Sequence, residues 1–334
     1  MTLDELEKEV QKEQQKESRK QKKTRLALWL LIGMLLLASG GLIFLAAKRQ
    51  DGAGTGAFSE ASESILSPED GIWAQVQVID VGQGSATLIL SGGEAMLIDG
   101  GGAAHSSVTV AALKKSGVTG LKYLVATHFD ADHLYGAIGA LEAVGAEKVL
   151  LPDYTADSAV YSSFMRHLEA KAGETETIHP KPGETYRLGF GEFTILAPCS
   201  GRYEAENDYS IALRFAAGGS SLLITGDAEK VSEEEMRANN RGRRSLASDI
   251  YIVGHHGSAS SSSAAFLKDV SPSYAIISCG AGNDYGHPKE AVLRRLKLLE
   301  IQLYRTDVQG DILFRFTGEG IVWEKEPCNN YTPG

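Results

Sequence analysis

The 334-residue chain is 43% hydrophobic and 23% charged, an ordinary globular composition, with a formal net charge of −10. Residues 1–50 hold ten Lys/Arg and six Asp/Glu, which leaves 23 basic and 37 acidic residues in 51–334, a net of −14. That balance speaks against a nonspecific nucleic-acid binder, which needs an excess of cations; three cysteines without a CxxC pair speak against a disulfide framework or a cysteine zinc site.

Residues 1–25 are rich in Lys, Glu and Gln and read as a solvated cytoplasmic tail. Residues 26–47 carry no charge; as a helix they would span about 33 Å, against about 30 Å for a bilayer core. Arg19, Lys20, Lys22, Lys23 and Arg25 precede this run and only Lys48 and Arg49 follow closely, so the positive-inside rule puts the N-terminus in the cytoplasm and the rest outside. The run exceeds a signal-peptide core and lacks a small-x-small cleavage site, so the expectation is a single-pass anchor in the cell membrane. Residues 48–71, rich in Gly, Ser, Ala and Glu, predict a flexible linker. One globular domain over 72–325 and a C-terminal tail over 326–334 complete the chain.

Polarity alternates over 73–80, which predicts a strand. Strands at 85–90 and 94–99 follow, joined by a Ser-Gly-Gly turn, and Gly100-Gly101-Gly102 marks a tight backbone passage. A helix at 107–116 leads to a strand at 122–127, then a helix at 134–144, a strand at 148–151 and a helix at 157–171. Strands at 192–196, 210–215 and 221–225 come next. The last third alternates: strand 249–253, helix 262–269, strand 274–278, helix 288–299, strands 301–305 and 310–316. Such interleaving predicts α/β sheets covered by helices. No G-x-G-x-x-G opens a helix after the first strand, which argues against a Rossmann fold.

The chemistry concentrates where apolar strands end. Thr127-His128-Phe129-Asp130-Ala131-Asp132-His133 places four potential ligands within six residues, and uncompensated charge at a buried strand end is costly without a cation. Residues 222–226 run into Asp227, which could otherwise cap the helix that follows. Residues 249–253 run into Gly254-His255-His256-Gly257. Strand carboxyl ends carry the sites of open α/β sheets, so the three sets are expected to converge. His128, Asp130, Asp132, His133, Asp227 and one of His255/His256 are too many ligands for one tetrahedral ion. Two divalent ions sharing a carboxylate resolve the count and predict hydrolysis by a metal-bridging hydroxide, with no organic cofactor. Asp99, at a strand end, could orient a ligand histidine or simply form a turn. His287, before Pro288, could face substrate or belong to a helix start. His105, His167 and His179 read as surface residues.

Thr-His-x-Asp-x-Asp-His, Thr225-Gly226-Asp227 and His255-His256-Gly257-Ser258 together resemble the metallo-β-lactamase superfamily. Ile79-Asp-Val-Gly-Gln-Gly84, Leu97-Ile-Asp-Gly-Gly101, Asn207-Asp-Tyr-Ser-Ile-Ala-Leu213 and Tyr285-Gly-His-Pro288 narrow this to a resemblance with the extracytoplasmic hydrolase domain of ComEC-type competence proteins, over about residues 74–317. The resemblance implies an αββα sandwich with a dinuclear site at one edge. It implies that His128 binds the first metal, Asp132 and His133 the second, that Asp227 bridges, and that His256 completes the second site. His255 would then support a ligand or bind phosphate; Asp132, His255 and His287 are the candidate catalytic groups. The superfamily usually has His where Asp130 stands, and another before the strand leading to the bridging Asp. Here that stretch is Glu206-Asn207-Asp208-Tyr209-Ser210, so Asn207 or Asp208 could contribute. ComEC relatives often have Asp where Ser85 stands. The oxygen-richer set suits Mn²⁺ as well as Zn²⁺.

The resemblance implies a nuclease-like phosphodiesterase, with single-stranded DNA as one candidate substrate. A cell-envelope or small phosphodiester, such as a choline-phosphate ester, is the alternative, favoured by the acidic charge. A catalytically inactive binding module is another, and β-lactam hydrolysis is disfavoured by Asp130. ComEC relatives carry a multi-helix channel where a single span is read here, so DNA transport is not implied.

Overall fold

The computed structural model describes residues 71–240 and 246–334. All of them belong to one compact unit. The expected tail, anchor at 26–47 and nearly all of the linker lie outside the described residues. Among the described residues, no helix is long and apolar enough to cross a membrane.

Two sheets face each other. The first has eight strands in the order β15-β14-β1-β2-β3-β4-β5-β6. These are Gly320–Trp323, Ile312–Thr317, Ile72–Val78, Thr87–Ser91, Glu94–Ile98, Leu121–Val125, Ala146–Leu150 and Glu176–Ile178. The second has seven, β13-β12-β11-β10-β9-β8-β7. These are Gln302–Arg305, Tyr274–Ile277, Ile250–Ile252, Ser220–Ile224, Ala212–Ala217, Gly191–Ala197 and Thr185–Leu188. Helices α1 (Ser106–Lys115), α2 (Ala131–Ala143) and α3 (Ala159–Ala170) cover the first sheet, while α4 (Lys230–Asn239), α5 (Ala264–Val270) and α6 (Glu290–Leu298) cover the second.

Period-two alternation builds the layers. In β10, Leu222 and Ile224 join Val76, Val78, Ile98 and Val125 in the core between the sheets. Leu223 points the other way, toward Met236 of α4 and Phe266 of α5. Leu97 and Leu124 likewise meet Leu113 of α1 and Leu141 of α2. Each buried apolar side chain of this kind contributes roughly 1.5–3 kcal/mol. The result is the expected αββα sandwich. Parallel pairing joins β3-β4-β5 and β10-β11-β12-β13, so β4, β10 and β11 deliver their carboxyl ends at equivalent levels of the two sheets.

Three short strands were not expected: β6, β7 and β15. They are edge or near-edge segments with few buried residues, so they lack the apolar run that identifies a strand. Residues 326–334, expected as a tail, lie along β13. Asn329 N donates to Leu303 O (3.1 Å), Leu303 N to Asn329 Oδ1 (2.9 Å) and Tyr331 OH to Ile301 O (2.7 Å). Arg305 pins the segment by donating to Asn330 O (3.1 Å) and to Thr332 O. Its guanidinium also forks onto Asp307, at 3.0 and 2.6 Å, and both side chains are under 10% exposed (3% and 7%). Arg305→Met leaves that carboxylate buried and unpaired and should destabilise the fold by about 3 kcal/mol, read from urea unfolding, with Arg305→Met/Asp307→Leu recovering part of it. A loss under about 1 kcal/mol would show the pair to be solvated.

Candidate metal centre

Beyond β4 the chain passes through Ala126 and Thr127 to buried His128. Asp130 is extended and takes the N-cap position of α2 without a side-chain cap bond, which places Asp132 and His133 in that helix's first turn. The helix starts at Ala131, not at 134, and the carbonyl of Asp130 accepts from His133 N and Leu134 N, both at 3.1 Å. Helix α2 lies against the glycine passage: a Cβ on Gly136 would sit 1.7 Å from Gly100 O, so neither layer tolerates a side chain there. From the second sheet, β10 delivers Asp227. Past β11, His255 and His256 are both left-handed, at φ 50° and 53°. Side chains there cost roughly 1–2 kcal/mol per residue. The turn is held by His255 N donating to Gly226 O (3.1 Å), Lys289 N to Gly257 O (2.9 Å) and His256 Nδ1 to Ser278 O (2.9 Å).

The hydrogen bonds decide which ring nitrogens face the centre. Asp99, 1% exposed and left-handed (φ 56°), accepts from Thr127 N and Thr127 Oγ1, both at 2.8 Å, and from His133 Nδ1 at 2.8 Å. Since Thr127 Oγ1 gives its hydrogen to Asp99, it can only accept from His128 Nδ1, 3.1 Å away. Ser278 O can only accept from His256. All three histidines therefore spend a proton on Nδ1 and turn Nε2 inward. His128 Nε2 is buried and has no hydrogen-bond partner among the described residues. His133 Nε2 and His256 Nε2 lie 3.2 Å apart, beside Asp132 Oδ2 (3.2 Å to His256) and Asp227. Converging lone pairs and carboxylates need a cation, so this donor set fits divalent metal ions.

Asp227 lies in the middle. Its Oδ1 is 3.3 Å from His133 Nε2; its Oδ2 is 3.4, 3.6 and 4.0 Å from Nε2 of His256, His255 and His128. Two groups of ligand atoms result: His128, His133 and Asp227, and Asp132, His133 and His256. Asp130 Oδ2 stands 3.7 Å from His128 Nε2 with about half its side chain exposed. The electrostatics show how strongly the carboxylates want positive charge. Burial alone would lower the pKa of His256, yet Asp227 and Asp132 hold it up at about 10; His133 is likewise raised by Asp227 and Asp99 against the burial penalty. Burial would raise Asp132 and Asp227, but the imidazoles hold both below the ordinary carboxylate range.

His255 is set apart from the ligand group. Its Nδ1 lies 3.2 Å from Glu229 Oε1, which also accepts from Ser260 Oγ (2.8 Å) and Asn207 Nδ2 (3.4 Å). Asn207 thus borders the site through Glu229. Asp208 does not: its carboxylate accepts from Glu229 N (3.0 Å) and Ser232 N (3.2 Å), satisfying the first turn of α4. Asp227 leaves that capping role to it. His287, 6% exposed, has its ring 5.6 Å from His255 and 6.4 Å from His256, and burial, then the neighbouring cationic groups, push its pKa down to about 4. Ser85 donates its N–H to Asp132 O (3.3 Å), and Gly84 O accepts from Ser278 Oγ (2.8 Å), which ties the Gly-Gln-Gly loop to α2 and to the end of β12. His105, His167 and His179 lie apart from this cluster; His179 is exposed and the other two are half-buried, and His167 and His179 bond backbone carbonyls. Sequence reasoning passed over Thr127, Ser278 and Glu229. Thr127 sits within the motif itself, and Glu229 follows Asp227 by two; Ser278 acts through its carbonyl, which no sequence pattern marks.

Residues 79–281 match the metallo-beta-lactamase superfamily, and the chain belongs to that family. The fold and ligand set define the class as a metal-dependent hydrolase. Among curated proteins, the chain is similar to Competence protein ComA of Neisseria gonorrhoeae, 33% identical over 265 residues, which covers 76% of this chain and 35% of that one. It is also similar to ComE operon protein 3 of Bacillus subtilis, 28% identical over 260 residues, covering 72% and 33%. The chain thus spans about a third of the length of these relatives. Among solved structures, CmlA, a diiron β-hydroxylase from Streptomyces venezuelae, shares the fold at 15% identity and TM-score 0.50, over 73% of this chain and 54% of that one.

Two outcomes follow. The raised imidazoles contribute stability that is complete below pH 6.5 and lost as pH rises toward about 10; the depressed carboxylates contribute stability present above 3.8 and lost in acid. In chelator, the melting temperature should therefore fall between about pH 7 and 10, whereas added Mn²⁺ or Zn²⁺, which must displace those protons, should raise it more at high pH. A metal-induced shift independent of pH would mean that these imidazoles are not ligands. Asp99→Ala should weaken metal affinity roughly 10- to 100-fold by freeing two ring orientations, measured by competition with a chelating dye.

Proposed function

We propose that the chain is a membrane-anchored, extracytoplasmic phosphodiesterase that works with two divalent ions, Zn²⁺ or Mn²⁺. His128, Asp130, Asp132, His133, Asp227 and His256 would hold them. The carrying observation is Asp227, whose two oxygens face different histidines: it belongs to one of two ligand groups that share His133, and its Oδ2 lies 3.4 Å from His256 of the other. When bound, such ions supply an ionised water at neutral pH and positive charge for the oxygens of a phosphoryl group. The protein does the positioning. Asp99, Thr127 and Ser278 fix three imidazoles in one tautomer, and α2 carries Asp132 and His133 rigidly against the glycine passage. Glu229 turns His255 so that its Nε2 faces the same carboxylate as the ligands, and His287 closes the side beyond His256.

The similarity to competence proteins supports a nucleotidyl phosphodiester, single-stranded DNA included. The net charge of −14 over residues 51–334 supports short or single-stranded substrates over long duplexes. The uncharged run at 26–47 and its basic flank support the anchor and its orientation. The test is a panel of single- and double-stranded DNA, RNA, cyclic dinucleotides and choline-phosphate esters with Mn²⁺ or Zn²⁺. Turnover should fall at least about 100-fold in Asp132→Ala/His133→Ala, whose folding is checked by its melting curve. Turnover confined to choline-phosphate esters would move the reading to an envelope phosphodiester. Absence of any variant-sensitive phosphodiester turnover would end it.

A further inference from the structure

The loop between β12 and α6 brings two rings to the site, and His287 is the inner one. Asn283 knots this loop. Its Nδ2 donates to Gly280 O (2.8 Å) and His287 O (2.7 Å), while its Oδ1 accepts from Tyr285 N (3.2 Å) and His287 N (3.0 Å). Lys289 Nζ donates to Tyr285 O at 2.5 Å. The backbone of Tyr285 is therefore held from both sides. Its ring lies nearly parallel to that of His287, at 5.6 Å and 22°, and the His287 ring lies at 27° to that of the candidate ligand His256. The inner ring is buried with Nδ1 unpartnered among the described residues; Tyr285 is 63% exposed.

A second aromatic group near the ligands behaves differently. Tyr154 stacks on Tyr209 (4.4 Å, 25°), accepts from Phe129 N (3.1 Å), and packs against Phe129, while Tyr203 closes on Tyr209 edge-on. Those rings are occupied by one another. Tyr285 has its backbone held on both sides yet keeps most of its surface in water. An aromatic ring on a held backbone, open to solvent and continuing a stack that begins at a candidate ligand histidine, is the form of a stacking platform. The Lys289 ammonium on the same loop complements a phosphodiester.

We infer that Tyr285 is a specificity-determining residue that stacks on a planar, base-like ring attached to the scissile phosphodiester, so that the site prefers nucleotidyl over aliphatic esters. This rests on the phosphodiesterase reading above. The experiment compares, in the full chain with Mn²⁺, kcat/KM for the 4-nitrophenyl ester of thymidine 5′-monophosphate and for ethyl 4-nitrophenyl phosphate. The ratio should favour the nucleotidyl ester, fall roughly 10-fold or more in Tyr285→Ala, and return in Tyr285→Trp. An unchanged ratio in Tyr285→Ala, including an equal loss on both esters, overturns the inference. Calorimetric titration keeps the two readings separable. If neither ester is turned over, the phosphodiesterase reading fails, while thymidine 5′-monophosphate should still bind roughly 10-fold tighter than 2-deoxyribose 5-phosphate, an advantage that Tyr285→Ala removes. No such advantage overturns the stacking role directly.

Discussion

The carboxylate of Asp99 is the constraint on which the site depends. It is buried, cannot donate while ionised, and receives three hydrogen bonds at 2.8 Å. Because it only accepts, it dictates the tautomer of His133 directly and of His128 through Thr127. Two ring nitrogens on different turns are thereby aimed at one point by a single charge. Its left-handed backbone and the glycines after it are the cost of putting that carboxylate under α2 rather than in a turn facing water.

The second sheet answers with a different device. Among the described residues no carboxylate takes that place behind His256; the ring is oriented by the carbonyl of Ser278 at the end of the neighbouring strand. The backbone bends through two consecutive left-handed histidines to present that ring and His255 on different sides of Asp227. Between these devices lie Asp132 and Asp227, close enough to repel each other. The centre is thus organised around missing positive charge, which imidazolium protons or metal ions can provide and which couples metal affinity to pH. The wider fold bears this strain because parallel strands, covered on both faces, hold the strand ends rigidly.

Much of this was legible from residue order. The apolar runs before His128, Asp227 and His255 identified three strands and their ends, since a buried strand terminating in ionisable groups is costly unless those groups act together. The start of α2 was placed three residues late because Asp132 and His133 read as loop ligands; they lie in its first turn, whose bonds begin at the carbonyl of Asp130. Asp208 was left open beside Asn207 as a contributor because nothing local separates a buried capping carboxylate from a metal-binding one. The edge strands and the segment along β13 were missed because exposed strands carry no hydrophobic signature, and pairing along an edge is made by backbone groups that every residue has.

The sequence alone determined the kind of site: which side chains stand at the ends of which strands, and hence a need for positive charge among them. It could do so because strand periodicity and ligand chemistry are local. Tertiary structure decided what each residue is for. Whether Asp99 turns a chain or sets a tautomer, whether Asp208 or Asp227 caps a helix, and which of His255 and His256 meets the ligand group depend on groups that are remote in sequence. Ser278, Glu229 and the glycine passage acquire meaning only when two sheets bring them within hydrogen-bonding distance, and no pattern along the chain encodes a distance across it.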